Sequence, residues 1–354
     1  EDGSVFEEYM NATYWAITNR KISEKQDVLE GKQHYKYLAR FETPEEMKML
    51  QDKLYQKRLD FYRIYDPKEC NLVLQGITYF KGMAPKDVSI LSFDIETTGL
   101  THDENSKVLL ISNTFRRAGK TVKRLFAYDD YATEADMFAD WSKFVRDHNP
   151  AILAGHNIFG FDLPYMQFCA TRAKSSLSLG RDGSDIQFNK KTSKKRASPN
   201  DIEYFNALVF GREIVDTMFL SMTYDFAKKY TSYGLKSIIK EEGLEKQDRV
   251  FYDAGQIRYK YKDPEELAKI KAYAIDDADD ALALFDLMIP AYFYFTQSVS
   301  KSFQQMINSA TGSQINNMMV RSYLQQGYSI SKADEVEKFK GAISFGVPGM
   351  YSSA

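Results

Sequence analysis

The chain has 354 residues, 44% of them hydrophobic and 27% charged, with a formal net charge of −2. That length holds two or three domains with a substantial core. The near-neutral balance argues against a protein that coats duplex by overall charge, so any nucleic-acid contact must rest on local positive charge.

No apolar run reaches the roughly 18 residues of a membrane span, so no membrane association is expected. The start, EDGSVFEEYM, is acidic, has neither the basic nor the apolar region of a signal peptide, and lacks an initiating Met. A trimmed chain is the expectation. Cys70 and Cys169 are too few for a disulfide scaffold, which points to a reducing, cytoplasmic setting. His34, His102, His148 and His156 are scattered and no Cys cluster accompanies them, so zinc is not expected. A metal here would need carboxylates, hence Mg²⁺ or Mn²⁺.

Residues 1–85 read as a small mixed domain. SVFEEYMNATYWAITNR is strand-like, QHYKYLARF alternates, and Thr43-Pro44-Glu45-Glu46 opens a helix with a capping box. From about residue 86, VSILSFDI, KVLLISNTF and TVKRLFAY predict three strands, the last two joined by a turn at Ala118-Gly119-Lys120. Helical spacing runs from Ala132 to His148, AILAGHN is a further buried strand, and a helix follows near Leu163-Pro164. This order predicts an α/β (α+β) fold with a mixed sheet flanked by helices. A polar insert occupies 175–213, and beyond Asp216 the chain is helical almost to its end.

Carboxylates stand out in three places. Asp94 and Glu96 are two apart at the end of an apolar strand, so both project from one face. Like charges so placed repel unless a cation lies between them, although a D-x-E pair is common by chance. The turn Thr97-Thr98-Gly99-Leu100 follows. The second place is GHNIFGFD, where Asp162 reads either as a helix N-cap or as a functional acid, and Phe159 and Phe161 as packing. In the third, Asp263-Pro264-Glu265-Glu266 opens a long helix on which Tyr273 and Asp277 share a face, while Asp276, Asp279 and Asp280 read as a solvated acidic stretch. Carboxylates converging from separate elements suit a two-metal phosphodiester hydrolase, with ions about 3.5–4 Å apart.

The series DIETTGL, HNIFGFD and YAIDD resembles the three motifs of the DEDD exonucleases, which have a ribonuclease-H-like fold. Tyr273-x-x-x-Asp277 matches the tyrosine branch, whereas the histidine branch would need His where Ala272 stands. AGHNIFGFDLPYM, Asp216 with SYGLKSII, SATGSQINNMMVRSYL and GAISFGVPGMY narrow the resemblance to family B DNA polymerases, with tailed-phage members most similar in pattern.

That resemblance covers about 86–354 and implies a 3′→5′ proofreading exonuclease domain over 86–292, an N-terminal domain over 1–85, and a helical linker over 293–354. It implies two Mg²⁺ or Mn²⁺ ions held by Asp94, Glu96, Asp162 and Asp277, with Tyr273 orienting the attacking water. Thr97, Leu100, Asn157 and Phe161 become candidate contacts to the terminal nucleotide. Lys190, Lys191, Lys194, Lys195 and Arg196 in the insert are candidate DNA contacts, the alternative being a solvated basic loop, and 203–215 is a secondary candidate for moving the primer strand.

The implied partners are the single-stranded 3′ end of a primer-template, a palm-fingers-thumb region in cis or as a separate subunit, and a sliding clamp as a further candidate. The family's S-L-Y-P-S and D-T-D palm motifs do not occur in the sequence, so this chain alone is not expected to polymerise DNA. Two rival readings remain at this stage: a free-standing DEDD ribonuclease or oligonucleotide trimmer, and a catalytically silent DNA-binding module.

Overall fold

The computed structural model describes residues 11–23, 26–195 and 201–333. Arg196 and the segment 341–351 lie outside the described residues. The chain divides into two compact units, Glu1–Tyr65 with Tyr323–Ala354, and Asp66–Ser322.

In the first unit, β1 (Tyr14–Thr18), β2 (Asp27–Val28), β3 (Tyr37–Phe41), α1 (Pro44–Gln56) and β4 (Phe61–Tyr62) follow in order. The strands form an antiparallel sheet in the order β2-β3-β1-β4. Thr43 caps α1 by accepting from the Glu46 N–H. The predicted box closes only halfway, because the Glu46 carboxylate accepts from the N–H of Glu42 at 3.1 Å. Residues 328–330 return to this sheet, with Ile330 bridging Tyr35 and Tyr328 bridging Glu30.

The second unit begins with α2 (Pro67–Gln75), then β5 (Ile90–Thr97), β6 (Val108–Arg117), β7 (Lys120–Ala127), α3 (Glu134–His148), β8 (Ile152–Gly155) and α4 (Asp162–Arg172). Short strands β9 (Gln187–Phe188), β10 (Ser193–Lys195), β11 (Ile202–Tyr204) and β12 (Ala207–Leu208) occupy the polar insert as pairs β10·β11 and β9·β12. β13 (Glu213–Asp216) follows, then α5 (Thr217–Tyr224), α6 (Leu235–Glu241), α7 (Ala254–Lys260), α8 (Pro264–Thr296), α9 (Phe303–Asn308) and α10 (Thr311–Gln325), whose residues from Tyr323 on belong to the first unit. Among the described residues no helix is long and apolar enough to cross a membrane.

The main sheet has the order β13-β8-β5-β6-β7. β5, β6 and β7 are antiparallel, while β8 and β13 run parallel to β5. The expected mixed sheet flanked by helices is present, in the ribonuclease-H-like arrangement. Ala118 and Gly119 take positive φ values of 49° and 75° in the tight turn joining β6 to β7.

The period of two in β5 decides what faces what. Leu91, Phe93 and Ile95 enter a core with Met137, Phe138 and Trp141 of α3 and Leu163 and Met166 of α4. Ile90 enters the opposite core with Leu284, Phe285 and Met288 of α8. Ser92, on that same face, donates to the Ala278 carbonyl of α8 at 2.8 Å. Asp94 and Glu96 therefore emerge beneath α8.

Candidate active site

Two turns of α8 carry Tyr273 and Asp277 on the helix face turned toward β5. Among the described residues, one oxygen each of Asp94, Glu96 and Asp277 lies within 4.8 Å of the others. Glu96 and Asp277 are buried, whereas Asp94 stays partly open. Asp162 is not part of this triangle, but it is buried and its Oδ1 accepts from the Ile95 N–H at 3.2 Å, between the two β5 acids. Of the two readings of Asp162, the N-cap does not hold. It is the first helical residue of α4, after Phe161, and its side chain turns to the sheet.

The electrostatics follow from crowding anions in a buried place. Burial above all, then the charges of Asp162, Glu96 and Asp277, holds the Asp94 pKa well above the ordinary carboxylate range. Burial and Asp277 push Glu96 up to about 8. Burial, with the Asp216 charge adding to it, pushes Asp162 up to about 7. Asp277 is raised by burial, against the opposing pull of Lys236, Tyr273 and Arg249. An all-oxygen donor set of mutually repelling carboxylates fits a hard divalent cation. Asp94, Glu96 and Asp277 are the residues placed to hold an ion.

Tyr273 is 3% exposed and its pKa is raised by burial, then by Asp277 and Glu96, so the phenol keeps its proton. Lys236 of α6 donates to its hydroxyl, lies over its ring at 4.1 Å and comes within 3.8 Å of Asp277. This lysine belongs to the segment SYGLKSII, whose spacing alone assigns it no role.

A cavity of about 720 Å³ opens over these groups. Thr97, Leu100 and Phe161 line it together with Asp94, Glu96, Tyr273 and Asp277. Leu100 stands 81% exposed at its wall. Arg258 of α7 lines the cavity too, the basic member of a wall otherwise rich in acids, and no sequence motif marks it. Asn157 does not join this lining. Its backbone is left-handed at φ 64°, its N–H donates to Asp216 Oδ1 at 2.9 Å, and its side chain lies against Gly160.

Two expectations need correction. Asp279 and Asp280 do not face water, being 9% and 0% exposed, and Asp276 is half-buried. Cationic partners explain it: Lys123 and Lys246 meet Asp279, and Arg249 meets Asp280. The basic cluster of the insert is also not one surface. Lys195 is buried, donating to Thr223 Oγ1 at 2.8 Å and the Ile307 carbonyl at 3.0 Å, and Lys194 pairs with Glu203 at 2.9 Å. Lys190 and Lys191 are exposed.

Residues 73–238 match the model of the family B DNA polymerase exonuclease domain. The DNA polymerase delta catalytic subunit of Dictyostelium discoideum is 25% identical over 300 residues, which is 76% of this chain and 26% of that protein. A DNA polymerase of Thermococcus kodakarensis is 20% identical over 351 residues, covering 95% of this chain and 20% of the relative. The chain thus spans about a quarter or less of these relatives' length. The structure of the family B DNA polymerase from Pyrobaculum calidifontis superposes with a TM-score of 0.72 at 18% identity, over 94% of this chain and 48% of that one.

Proposed function

The chain contains a family B DNA polymerase exonuclease region, and from that premise we propose that it removes the 3′-terminal nucleotide of a DNA strand as its monophosphate, the proofreading reaction. The observation that carries this reading is the meeting of Asp94, Glu96 and Asp277 within 4.8 Å, with Asp162 alongside. Mg²⁺ or Mn²⁺, two ions when bound, supplies Lewis-acid chemistry that acidifies the attacking water and neutralises the leaving 3′ oxygen.

The chain's own residues do the rest. Lys236 donates to the Tyr273 hydroxyl and Asp277 accepts its proton, so the pinned oxygen has a remaining lone pair with which to accept from the water and orient it. Leu100 offers an apolar edge against the last base, and Thr97 and Phe161 bound the nucleotide. Arg258 faces the phosphate with the positive charge the acidic wall lacks. A frayed, unpaired terminus is the substrate, because separating it costs least.

On this reading the exonuclease domain is 86–292, within the larger compact unit, with 1–85 as the N-terminal domain and 293–354 as linker. Its partners are a primer-template, a palm-fingers-thumb region and a sliding clamp. It works in the cytoplasm, a reducing setting that suits the two buried thiols of Cys70 and Cys169.

The test is digestion of 3′-labelled single-stranded DNA and RNA oligonucleotides with Mg²⁺ or Mn²⁺. Wild type should release deoxynucleoside monophosphates, and Asp94→Ala and Asp277→Ala should lose the activity while keeping the fold by circular dichroism. Digestion near the wild-type rate by either variant removes the assignment of these acids. A preference for the RNA strand moves the reading to the free-standing ribonuclease.

A further inference from the structure

The acids surrounding Asp277 form a second layer. The segment 246–250 lies along α8 and is fastened at both ends. Lys246 reaches Asp279 at 2.5 Å and Asp276 at 3.6 Å, and the Val250 N–H donates to Asp276 Oδ2 at 2.9 Å. Thr114 of β6 and Lys123 of β7 bind Asp279 from the sheet side, so that carboxylate ties sheet, helix and segment together.

Between these ties sits Arg249, its side chain 1% exposed. Its Nε donates to Asp280 Oδ2 at 2.7 Å, and its Nη2 donates to Asp277 Oδ1. Asp277 Oδ2 is the oxygen nearer Lys236, at 3.8 Å. A planar, forked guanidinium fixes two carboxylates in one geometry, which a point charge does not.

We propose that Arg249 is a positioning residue: anchored on Asp280 by one arm, it takes one oxygen of Asp277 with the other and leaves the second oxygen aimed at the divalent ion. The acidic run 276–280 is then the device that plants Arg249. This rests on the ion site proposed above.

Charge and geometry predict different outcomes. A cation beside an ion site weakens metal binding by repulsion, so charge alone makes Arg249→Met bind Mn²⁺ more tightly and Asp280→Asn less tightly. Positioning makes both variants bind less tightly.

The experiment is Mn²⁺ titration of the full chain by electron paramagnetic resonance, for Arg249→Met, Arg249→Lys and Asp280→Asn. Removing an outer partner of a metal ligand weakens affinity about 10- to 100-fold, and that is expected for Arg249→Met, with a smaller loss for Asp280→Asn. Arg249→Lys keeps the charge and loses the fork, so it should bind Mn²⁺ more weakly than wild type; it carries the test if Arg249→Met does not fold. Tighter or unchanged binding by Arg249→Met, or wild-type affinity in Arg249→Lys, overturns the proposal. Asp94→Ala, titrated in parallel, separates the two levels. If it retains wild-type Mn²⁺ affinity, the ion site itself is misplaced; if it alone loses affinity, only the role of Arg249 falls.

Discussion

Tyr273 and Lys195 show how burial turns two ordinary side chains to different ends. Tyr273 is held by Lys236 on one side and by the carboxylates on the other, and its only polar side-chain atom is the hydroxyl. Tyr273→Phe keeps the ring's packing and removes that atom. Its kcat on a 3′-labelled oligonucleotide should fall about 10- to 100-fold, as when a metal site is deprived of an outer-sphere partner, with Mn²⁺ affinity unchanged. Abolished Mn²⁺ binding would contradict a water-orienting role. Lys195 has its pKa lowered to about 8 by burial, and its ammonium is spent on a hydroxyl and a carbonyl. Lys195→Ala should therefore lower the melting temperature and leave the salt dependence of single-strand binding unchanged. Lys190→Ala with Lys191→Ala should do the reverse, reducing the salt slope by about 0.7 for each phosphate no longer neutralised. An unchanged slope in the double variant returns the insert to a solvated basic loop.

At the scale of elements, the connection from β8 to α4 carries Asp162 to the sheet. Asp216 fastens this loop from below: it is fully buried and accepts from the N–H groups of Asn157 and Phe159 while capping α5 through the Met218 N–H. Gly155 sits where a Cβ would meet Ile158 Cγ2 at 2.4 Å and the Phe93 carbonyl at 2.6 Å. The carbonyl belongs to the central strand and has nowhere to go. Gly155→Ala should cost about 1–3 kcal/mol of stability, the usual range for overpacking, read as a lower melting temperature. Below that temperature it should also digest more slowly, because the displaced loop holds Asp162. Wild-type stability in this variant would show that the loop yields.

At the scale of the whole molecule, the ion-free protein concentrates four carboxylates where charge is disfavoured. Glu96 at about 8 and Asp162 at about 7 hold protons that the unfolded chain has already released. The folded state binds more protons than the unfolded state in this window, so stability falls as pH rises. His156, lowered to about 4 by burial, acts in the opposite sense, but only below its ordinary value of 6.5. Between about pH 6.5 and 8 the carboxylates dominate. The melting temperature without divalent ions should drop across that range, and saturating Mg²⁺ should raise it more at pH 8 than at pH 6.5. A ligand at 100 times its Kd adds about 2.7 kcal/mol. Equal gains at both pH values would mean that no proton is exchanged for the ion.

Much of this architecture was legible in the amino-acid order because it depends on local periodicity. The alternation in ILSFDIE put Asp94 and Glu96 on one face, and the spacing of four put Tyr273 on the same face as Asp277, since both follow from backbone geometry within one element. What the order could not contain was which cation meets which anion across the fold. Asp279 and Thr114 are 165 residues apart in the chain, and they meet only because α8 crosses β6. Buried and solvated acids have the same spelling. Pairing with Lys123, Lys246 and Arg249 is a property of packed surfaces, so only the tertiary structure decided that the acidic run faces inward and that Lys195 is withdrawn from the basic cluster.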